Sequence, residues 1–550
     1  MTRHQSCDLL LWSDKTAPPD RWPRGATGRL SANIALAAGE LSDWANQSRA
    51  AFLLLWDPQY SLPNSSVLDR LMESGVDAAH CGLKSAAGQE FGDLSMVIHD
   101  WSMINGPAER PSTSWRLNLG TCLLRRETFL AAGGLNGSFA SRMGAGLELG
   151  YRLLKSGALI EHRPEIVSVG AVDEDPADIP LDLYNFIFVF FKKSWGRYVL
   201  LRRLPFTRQP RKELAAFRKA WSHRSPFEPR GSSSFLRNRL IAPGDQPQVS
   251  VIIPTLGRYH TLPAALQSLV EQTLPPAEVI VVDQNPPEER RTDLFYQFEA
   301  LNLKVVWQRD TGQSLARNTG LSLAAHPYVF FFDDDSIARD DLLEKHLSLV
   351  ADHRIDASTG VSFPPEPHDY QLPPEFGYYR LSQTFDTGNS LLPTAVAKRI
   401  GGFDRNYDFG PGTDTDFGTR LYLSGCRIGL NPEAVRIHLK EPRGGLRVHH
   451  SHKYNTDLGL LKPYPPVTQS YYGFRFLGAG QQRERTLLQF ATSKFPRDVR
   501  PLGRRNLNFI SHAVYFLLSL VFLPVKSHFS HKKAQTLLKK GVQLGNFSTD

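Results

Sequence analysis

Three carboxylates in a row close an apolar run, Phe330-Phe331-Phe332-Asp333-Asp334-Asp335. Neighbouring carboxylates repel, so such a triad is costly unless a divalent cation, and a diphosphate bridged by it, relieves the repulsion. A helix beginning near Arg339 needs one cap, Asp335 or Ser336, which leaves the remaining acids unexplained. A second acidic stretch, Gly412-Thr413-Asp414-Thr415-Asp416-Phe417-Gly418, precedes Arg420 and an apolar helical pattern at 421–423. A carboxylate there could take the proton of an incoming hydroxyl within hydrogen-bond reach. Acids also suit an ordinary helix N-terminus, so this stretch gains its weight from the triad and from Gly401-Gly402-Phe403-Asp404 just before it. His449, His450 and His452 form a tract that reads as a solvated loop before it reads as a metal site. Lys440, Arg443 and Arg447 lie close by and are candidates to meet phosphates.

The elements that must deliver these groups are legible upstream. Val249–Pro254 and Val279–Asp283 are continuous β-branched runs, the pattern of parallel strands buried on both faces. Helical spacing covers Leu262–Gln272 and Ser314–Ala325, with strand patterns at Lys304–Trp307 and Tyr328–Phe332. This β-α-β-α-β rhythm predicts a doubly wound α/β sheet with ligands beyond the carboxyl ends of its strands, where Asp333–Asp335 stand.

At 550 residues the chain exceeds what one core organises, so at least two domains are expected. Its 41% hydrophobic and 22% charged content is that of a folded globular protein. A net charge of +9 points to anionic partners, but the basic residues form no recognised nucleic-acid module, so no nucleic-acid partner is expected. The four scattered cysteines fit a reducing compartment. The apolar run Leu9–Trp12 is too short for a signal-peptide core, which predicts cytoplasmic residence. A phosphate-binding GxxxxGK[ST] loop and a GxSxG elbow are both missing from the sequence.

Sliding the chain on itself exposes a repeat. Gly120–Pro164 aligns without a gap on Gly388–Pro432, at a constant separation of 268 residues, with glycines, leucines and an arginine (Arg152 on Arg420) in one register. Two related units in tandem are expected. Between them, roughly 181–245 reads as a helical connector, with an aromatic run (Tyr184, Phe186, Phe188, Phe190, Phe191) that predicts a buried face. Its basic residues leave open an interfacial helix on anionic lipid. Leu507–Val525 is nearly free of charge and reads as a buried, surface-attached or membrane-spanning helix.

The assembled motifs resemble glycosyltransferase family two, the inverting nucleotide-sugar transferases of the GT-A fold, from Val249 to roughly His450. The resemblance implies a nucleotide-binding turn at Val-Ser-Val-Ile-Ile-Pro254-Thr255, a base-contacting acid at Asp283, and a step beside the diphosphate at Ala316-Arg317-Asn318. It implies a DxD metal motif at Asp333-Asp334-Asp335, with Asp335 the direct ligand of Mn²⁺ or Mg²⁺ and Asp334 or Asp333 nearer the ribose. Asp414 falls where the family keeps its catalytic base, although Thr413 replaces the usual Glu. His438, in Val435-Arg-Ile-His, matches a histidine that completes the metal site, against the plainer reading of a core or surface histidine.

The expected architecture is therefore tandem GT-A-like domains with doubly wound mixed sheets and a helical C-terminal tail. Residues 1–180 would be a degenerate unit without metal chemistry, 181–245 the connector, 246–455 the catalytic domain and 456–550 the tail. The degenerate reading rests on Gly146 and Gly170 standing opposite Asp414 and His438, on one acid, Asp57, after Ala51–Trp56, and on no evident opening strand. The expected partners are a nucleotide-sugar donor and a glycan or glycolipid acceptor, with peripheral contact at the inner face of the cell membrane. Surface polysaccharide or glycolipid synthesis is the implied setting, and no QxxRW motif indicates processive synthesis. Two other classes stay open from the residues alone: a non-catalytic carbohydrate- or nucleotide-binding scaffold, and a metal-dependent nucleotidyltransferase.

Overall fold

A computed structural model describes residues 7–13, 28–31, 34–58, 60, 62–81, 109–167, 180–222, 248–351, 355–366, 371–373, 376–382, 384–445, 463–494 and 506–547. Two mixed sheets follow one another along the chain. The first contains β1 (Cys7–Ser13), β2 (Gly28–Ser31), β3 (Phe52–Trp56), β4 (Ala78–His80), β5 (Ser112–Thr113), β6 (Thr121–Arg125) and β7 (Ile160–His162), in the order β2-β1-β3-β6-β4-β7-β5. The second contains β8 (Val249–Thr255), β9 (Glu278–Asp283), β10 (Leu303–Trp307), β11 (Tyr328–Phe332), β12 (Ser336–Ala338), β13 (Ala357–Phe363), β14 (Arg380–Leu381), β15 (Asn389–Pro393) and β16 (Ile428–His438). Its order is β10-β9-β8-β11-β15-β13-β16-β12, with β14 beside β16.

The apolar runs earn their places by burial on both faces of this second sheet. Val249, Val251 and Ile253 of β8 face Leu262 and Leu266 of the following helix, while Ile252 turns to the opposite layer with Phe331, Phe403 and Phe417. A half-exposed strand would have alternated with polar residues instead.

The repeat is structural as well as sequential. In each sheet two parallel strands lead to a third, which pairs antiparallel with the strand of the repeat, Phe52 opposite Arg125 and Tyr328 opposite Pro393. Each copy also holds the same buried arginine. Arg152 binds Glu148 at 2.8 Å and the carbonyls of Ala132 and Gly134. Arg420 binds Asp416 at 2.8 Å and the carbonyls of Ile400 and Gly402. All three partners keep the 268-residue separation, so the helix-to-loop brace is duplicated in both units.

One expectation is corrected here. The first unit does have an opening strand: β1 runs parallel to both β2 and β3, as β8 runs beside β9 and β11. The apolar stretch Leu9–Trp12 is only part of β1, which begins on Cys7-Asp8 and is ordered by pairing with both neighbours.

The connector supplies three helices, Pro180–Phe190, Lys193–Arg203 and Pro210–Ser222. Tyr184, Phe186 and Phe188 are buried in the first unit's core beside Trp115 and Tyr151, which is the buried aromatic face expected of this run. Residues 223–247 lie outside the described residues. The two units share core: Leu349, Ile355, Leu381 and Tyr422 of the second pack into the first unit's cluster. The Tyr422 hydroxyl donates to the Thr113 carbonyl at 3.1 Å, and Arg427 pairs with Glu161.

Beyond the second sheet come helices Val467–Phe476, Ala479–Lys494 and Asn506–Lys540. Among the described residues no helix is long and apolar enough to cross a membrane.

Candidate active site

Five chain segments meet at the carboxyl end of the parallel strands of the second sheet and enclose a cavity of about 280 Å³. β8 ends in Pro254 and Thr255, β11 runs out into Asp333–Asp335, and the turn before β15 brings Asp386 and Thr387. The helix Thr413–Leu423 presents Asp414 from its first turn, and the last residues of β16 bring Arg436 and His438. All of these groups line the cavity, together with Arg258, Gln284, Arg317 and Asp408.

The three adjacent acids are resolved by three different surroundings. Asp333 accepts from Arg317 at 3.0 Å on one oxygen and from Arg436 at 2.8 Å on the other. Burial alone would raise its carboxyl, but the two guanidinium groups override that and hold it well below the usual carboxylate range. Asp334 points the other way, onto Arg258 at 2.7 Å, and burial pushes it up to about 6 in spite of that pairing. Asp335 is fully buried, and its Oδ2 lies 3.4 Å from His438 Nε2. Burial opposes its ionisation, yet the bond to His438 brings it below the ordinary value.

Asp333, Asp335 and His438 place one ligand atom each within 4.8 Å of one another, the single such group among the described residues. Two carboxylates and an imidazole at that spacing suit a divalent cation. Both Asp333 oxygens are engaged by arginines, while Asp335 lies 3.3 Å from Arg258 and accepts from the Glu441 N–H at 3.2 Å. Arg317 Nε is buried without a hydrogen-bond partner among the described residues, an orphan donor of the kind an anionic ligand satisfies.

Asp414 accepts from the Thr387 hydroxyl at 2.5 Å. Burial, with the charge of Asp386 beside it, pushes its carboxyl up to about 6 in spite of that hydrogen bond. Such a group is ionised at neutral pH and still basic enough to accept a proton. In the same helix Thr413 is buried, and Asp416 is spent on Arg420 and on Arg475 at 2.7 Å, so Asp416 belongs to the brace and not to the cavity.

Several residues named from the sequence do not line the cavity. Asp283, fully buried, accepts from Tyr259 at 2.5 Å and from the backbone and side chain of Asn285 at 2.8 Å. Asn318 uses its whole amide on Phe403, accepting from the backbone N–H at 2.7 Å and donating to the carbonyl at 2.8 Å. It fastens the glycine loop to the helix that carries Arg317. Arg443 and Lys440 are likewise outside the lining, whereas Arg447, His449, His450 and His452 lie outside the described residues.

Sequence reasoning missed Arg436, Asp386 and Arg258. Arg436 is 3% exposed and binds Asp333, both oxygens of Asp386, Ser336 Oγ and the Gly388 carbonyl. Its signal was available, because side chains two apart in a strand share a face, so Arg436 had to accompany His438. Gly388 is required by the same contact, since a Cβ there would collide with the Asp333 carboxylate and the Arg436 guanidinium. Asp386 and Arg258 carried no comparable periodic signal.

In the first unit the pairing register puts Asp57 where Asp333 stands, and Asp57 is consumed by Arg142 at 2.7 Å. Opposite Asp414 stands Gly146, whose Cα packs so closely on the Leu117 carbonyl that no side chain fits. Gly170 lies outside the described residues.

Residues 250–403 match the family model described as Glycosyl transferase family 2, and this segment is a domain of that family. The chain is similar to validoxylamine A glucosyltransferase of Streptomyces hygroscopicus subsp. limoneus, 28% identical over 241 residues, covering 36% of this chain and 52% of the relative. It is 26% identical over 239 residues to chondroitin synthase of Pasteurella multocida, covering 35% of this chain and 25% of that one. Among solved structures, Staphylococcus aureus TarS 1–349 matches with a TM-score of 0.35 and 16% identity, over 54% of this chain and 92% of that one. The chain thus spans about half the length of the first of these relatives, and less of the second.

Proposed function

We propose that the protein is an inverting glycosyltransferase that moves a sugar from a nucleoside-diphosphate donor to a hydroxyl acceptor. The observation that carries this reading is one cavity that combines a metal-sized acid–histidine cluster with a separate carboxylate raised to about 6. Asp414 takes the proton of the acceptor hydroxyl as it attacks the anomeric carbon from the face opposite the nucleotide. Thr387 orients that carboxylate, and Asp386, held by Arg436, keeps it basic. Arg317 and Arg258 fix positive charge beside the diphosphate.

Asp335 and His438, with Asp333 behind them, would hold Mn²⁺ or Mg²⁺, which when bound screens the diphosphate and stabilises its departing charge. A leaving group stabilised in this way needs no protonated carboxylic acid, which favours transfer over glycoside hydrolysis. Pro254 and Thr255 at the cavity wall would contact the nucleotide, while Asp283 and Asn318 would act by shaping the loops around it. The relatives named as a glucosyltransferase and a chondroitin synthase fit the same reaction class. A surface polysaccharide or glycolipid setting, with peripheral membrane contact, is the reading we adopt for the acceptor. The first unit, its Asp57 paired and its Asp414 position closed by glycine, serves packing or acceptor binding.

The test is nucleoside diphosphate release across a panel of nucleotide sugars with Mn²⁺, Mg²⁺ or EDTA. Metal-dependent release with one donor, lost in Asp335→Ala and Asp414→Asn, is expected. Pyrophosphate release instead would make the protein a nucleotidyltransferase, and neither release nor nucleotide binding would make it a scaffold.

A further inference from the structure

From residue 520 onward, the helix Asn506–Lys540 departs from an ordinary surface helix by turning apolar side chains to solvent. Its inward face is Leu523, Lys526, Ser530 and Ala534, with Leu523 against Tyr464 and Phe490, and Ala534 against Tyr407 and Tyr471. Its outward face repeats at i, i+4 with Val521, Val525 and Phe529, which are 70, 44 and 45% exposed, and Leu520 flanks them at 49%. A helix packed on a globular domain normally turns polar residues to water. Here the apolar stripe runs without interruption into Lys532 and Lys533, both exposed.

Charge says what this face meets. The helix holds no Asp or Glu in its 35 residues, and Lys526, Lys532, Lys533, Lys539 and Lys540 all lie within it. Two copies placed face to face would set like charges against one another, which disfavours a self-complementary interface. An anionic surface with an apolar interior matches both halves of the stripe. No helix among the described residues is long and apolar enough to span a bilayer, so the geometry is that of a helix lying in the interface.

We infer that the face from Leu520 to Lys533 docks the protein on an anionic lipid surface, with Val521, Val525 and Phe529 among the acyl chains and Lys532 and Lys533 on the headgroup phosphates. The docked helix is tied to the cavity. After it ends, Gln543 donates to Asp404 at 3.1 Å and Gly545 to the Gly401 carbonyl at 2.9 Å, and Phe547 packs beside Gly402. That loop is the one Asn318 fastens to the Arg317 helix, so the lipid plane and the active cavity are held in a set orientation. The inference specifies the membrane contact adopted above and does not depend on the sugar-transfer chemistry.

The experiment is flotation of the full chain with vesicles of phosphatidylcholine containing about one-quarter phosphatidylglycerol, against vesicles of phosphatidylcholine alone. Flotation with the anionic vesicles only is expected. V521S/F529S should weaken it at least about tenfold by removing apolar anchors. K532Q/K533Q should weaken it about fivefold per lysine at low salt and flatten its salt dependence. All four side chains are exposed, so the melting temperature should not move. Failure to float with anionic vesicles, or flotation indifferent to both pairs, overturns the inference. So does a dimer in analytical ultracentrifugation that V521S/F529S dissociates. Donor turnover with a soluble acceptor, measured on the same variants, reports the chemistry separately and should be unchanged.

Discussion

Arg436 donates to Asp333 across 2.8 Å, joining the end of β16 to the carboxyl end of β11 over a sequence separation of 103 residues. The same guanidinium grips Asp386, which in turn faces Asp414, so one cation connects the Asp333 end of the cavity to the Asp414 end.

Arg436→Gln should leave Asp333 and Asp386 facing each other without their shared cation. Removing one partner of a buried ion pair costs about 3 kcal/mol, read as the shift in a denaturant titration. Donor turnover should fall with it. Arg436→Lys should fail to restore turnover, because one ammonium cannot make the forked contacts to two carboxylates. Full turnover in the lysine variant would show that charge alone suffices.

Asp335→Ala and His438→Ala should raise the Mn²⁺ concentration required for half-maximal turnover, and Asp335→Ala should cost more than about a hundredfold in rate. Asp333→Asn should act differently. Its oxygens are held by Arg317 and Arg436, so nucleotide affinity should suffer more than metal affinity. Isothermal titration of Mn²⁺ and of nucleoside diphosphate separates the two effects, and equal losses in both would count against this division of labour.

Asp414 must be ionised to accept a proton, so the rate should rise with pH through about 6 and level off above it. The Thr387 hydroxyl stabilises the charged form, and Thr387→Val should therefore move that limb to higher pH by roughly half to one unit. The sign for stability is opposite to that of an ordinary surface acid. A carboxyl whose folded-state pKa is raised loses stability for the fold as pH climbs from its unfolded value to about 6, and the loss persists above. Asp414→Asn should accordingly abolish turnover yet raise the melting temperature at pH 7, measured by differential scanning fluorimetry across pH.

Residues 240–550 expressed alone should melt several degrees lower than the full chain. The cut strips the first unit from Leu349, Ile355, Leu381 and Tyr422 and leaves Arg427 without Glu161. A fragment as stable and as active as the full chain would remove both packing and acceptor binding from the first unit's role.

By itself the sequence determined the four parallel strands of the second sheet, the repeat and the acids. Apolar runs such as Val249–Ile253 admit few places other than a sheet buried on both faces, and an apolar strand ending in Asp333–Asp335 delivers charge where such a sheet binds ligands. The 268-residue register was legible because both copies keep the same brace, Arg152 on Glu148 and Arg420 on Asp416. What only the tertiary structure decided was which charges meet. Arg258, Asp386 and Arg436 come from separate segments and sit beside Asp333–Asp335 through chain folding, a relation no local pattern encodes. Asp283 and Asn318 look like ligand contacts in the sequence, but buried polar groups must find partners, and here Tyr259, Asn285 and the Phe403 backbone satisfy them. The strand Cys7–Ser13 was hidden for a related reason: its order comes from neighbours on both sides, not from its own composition.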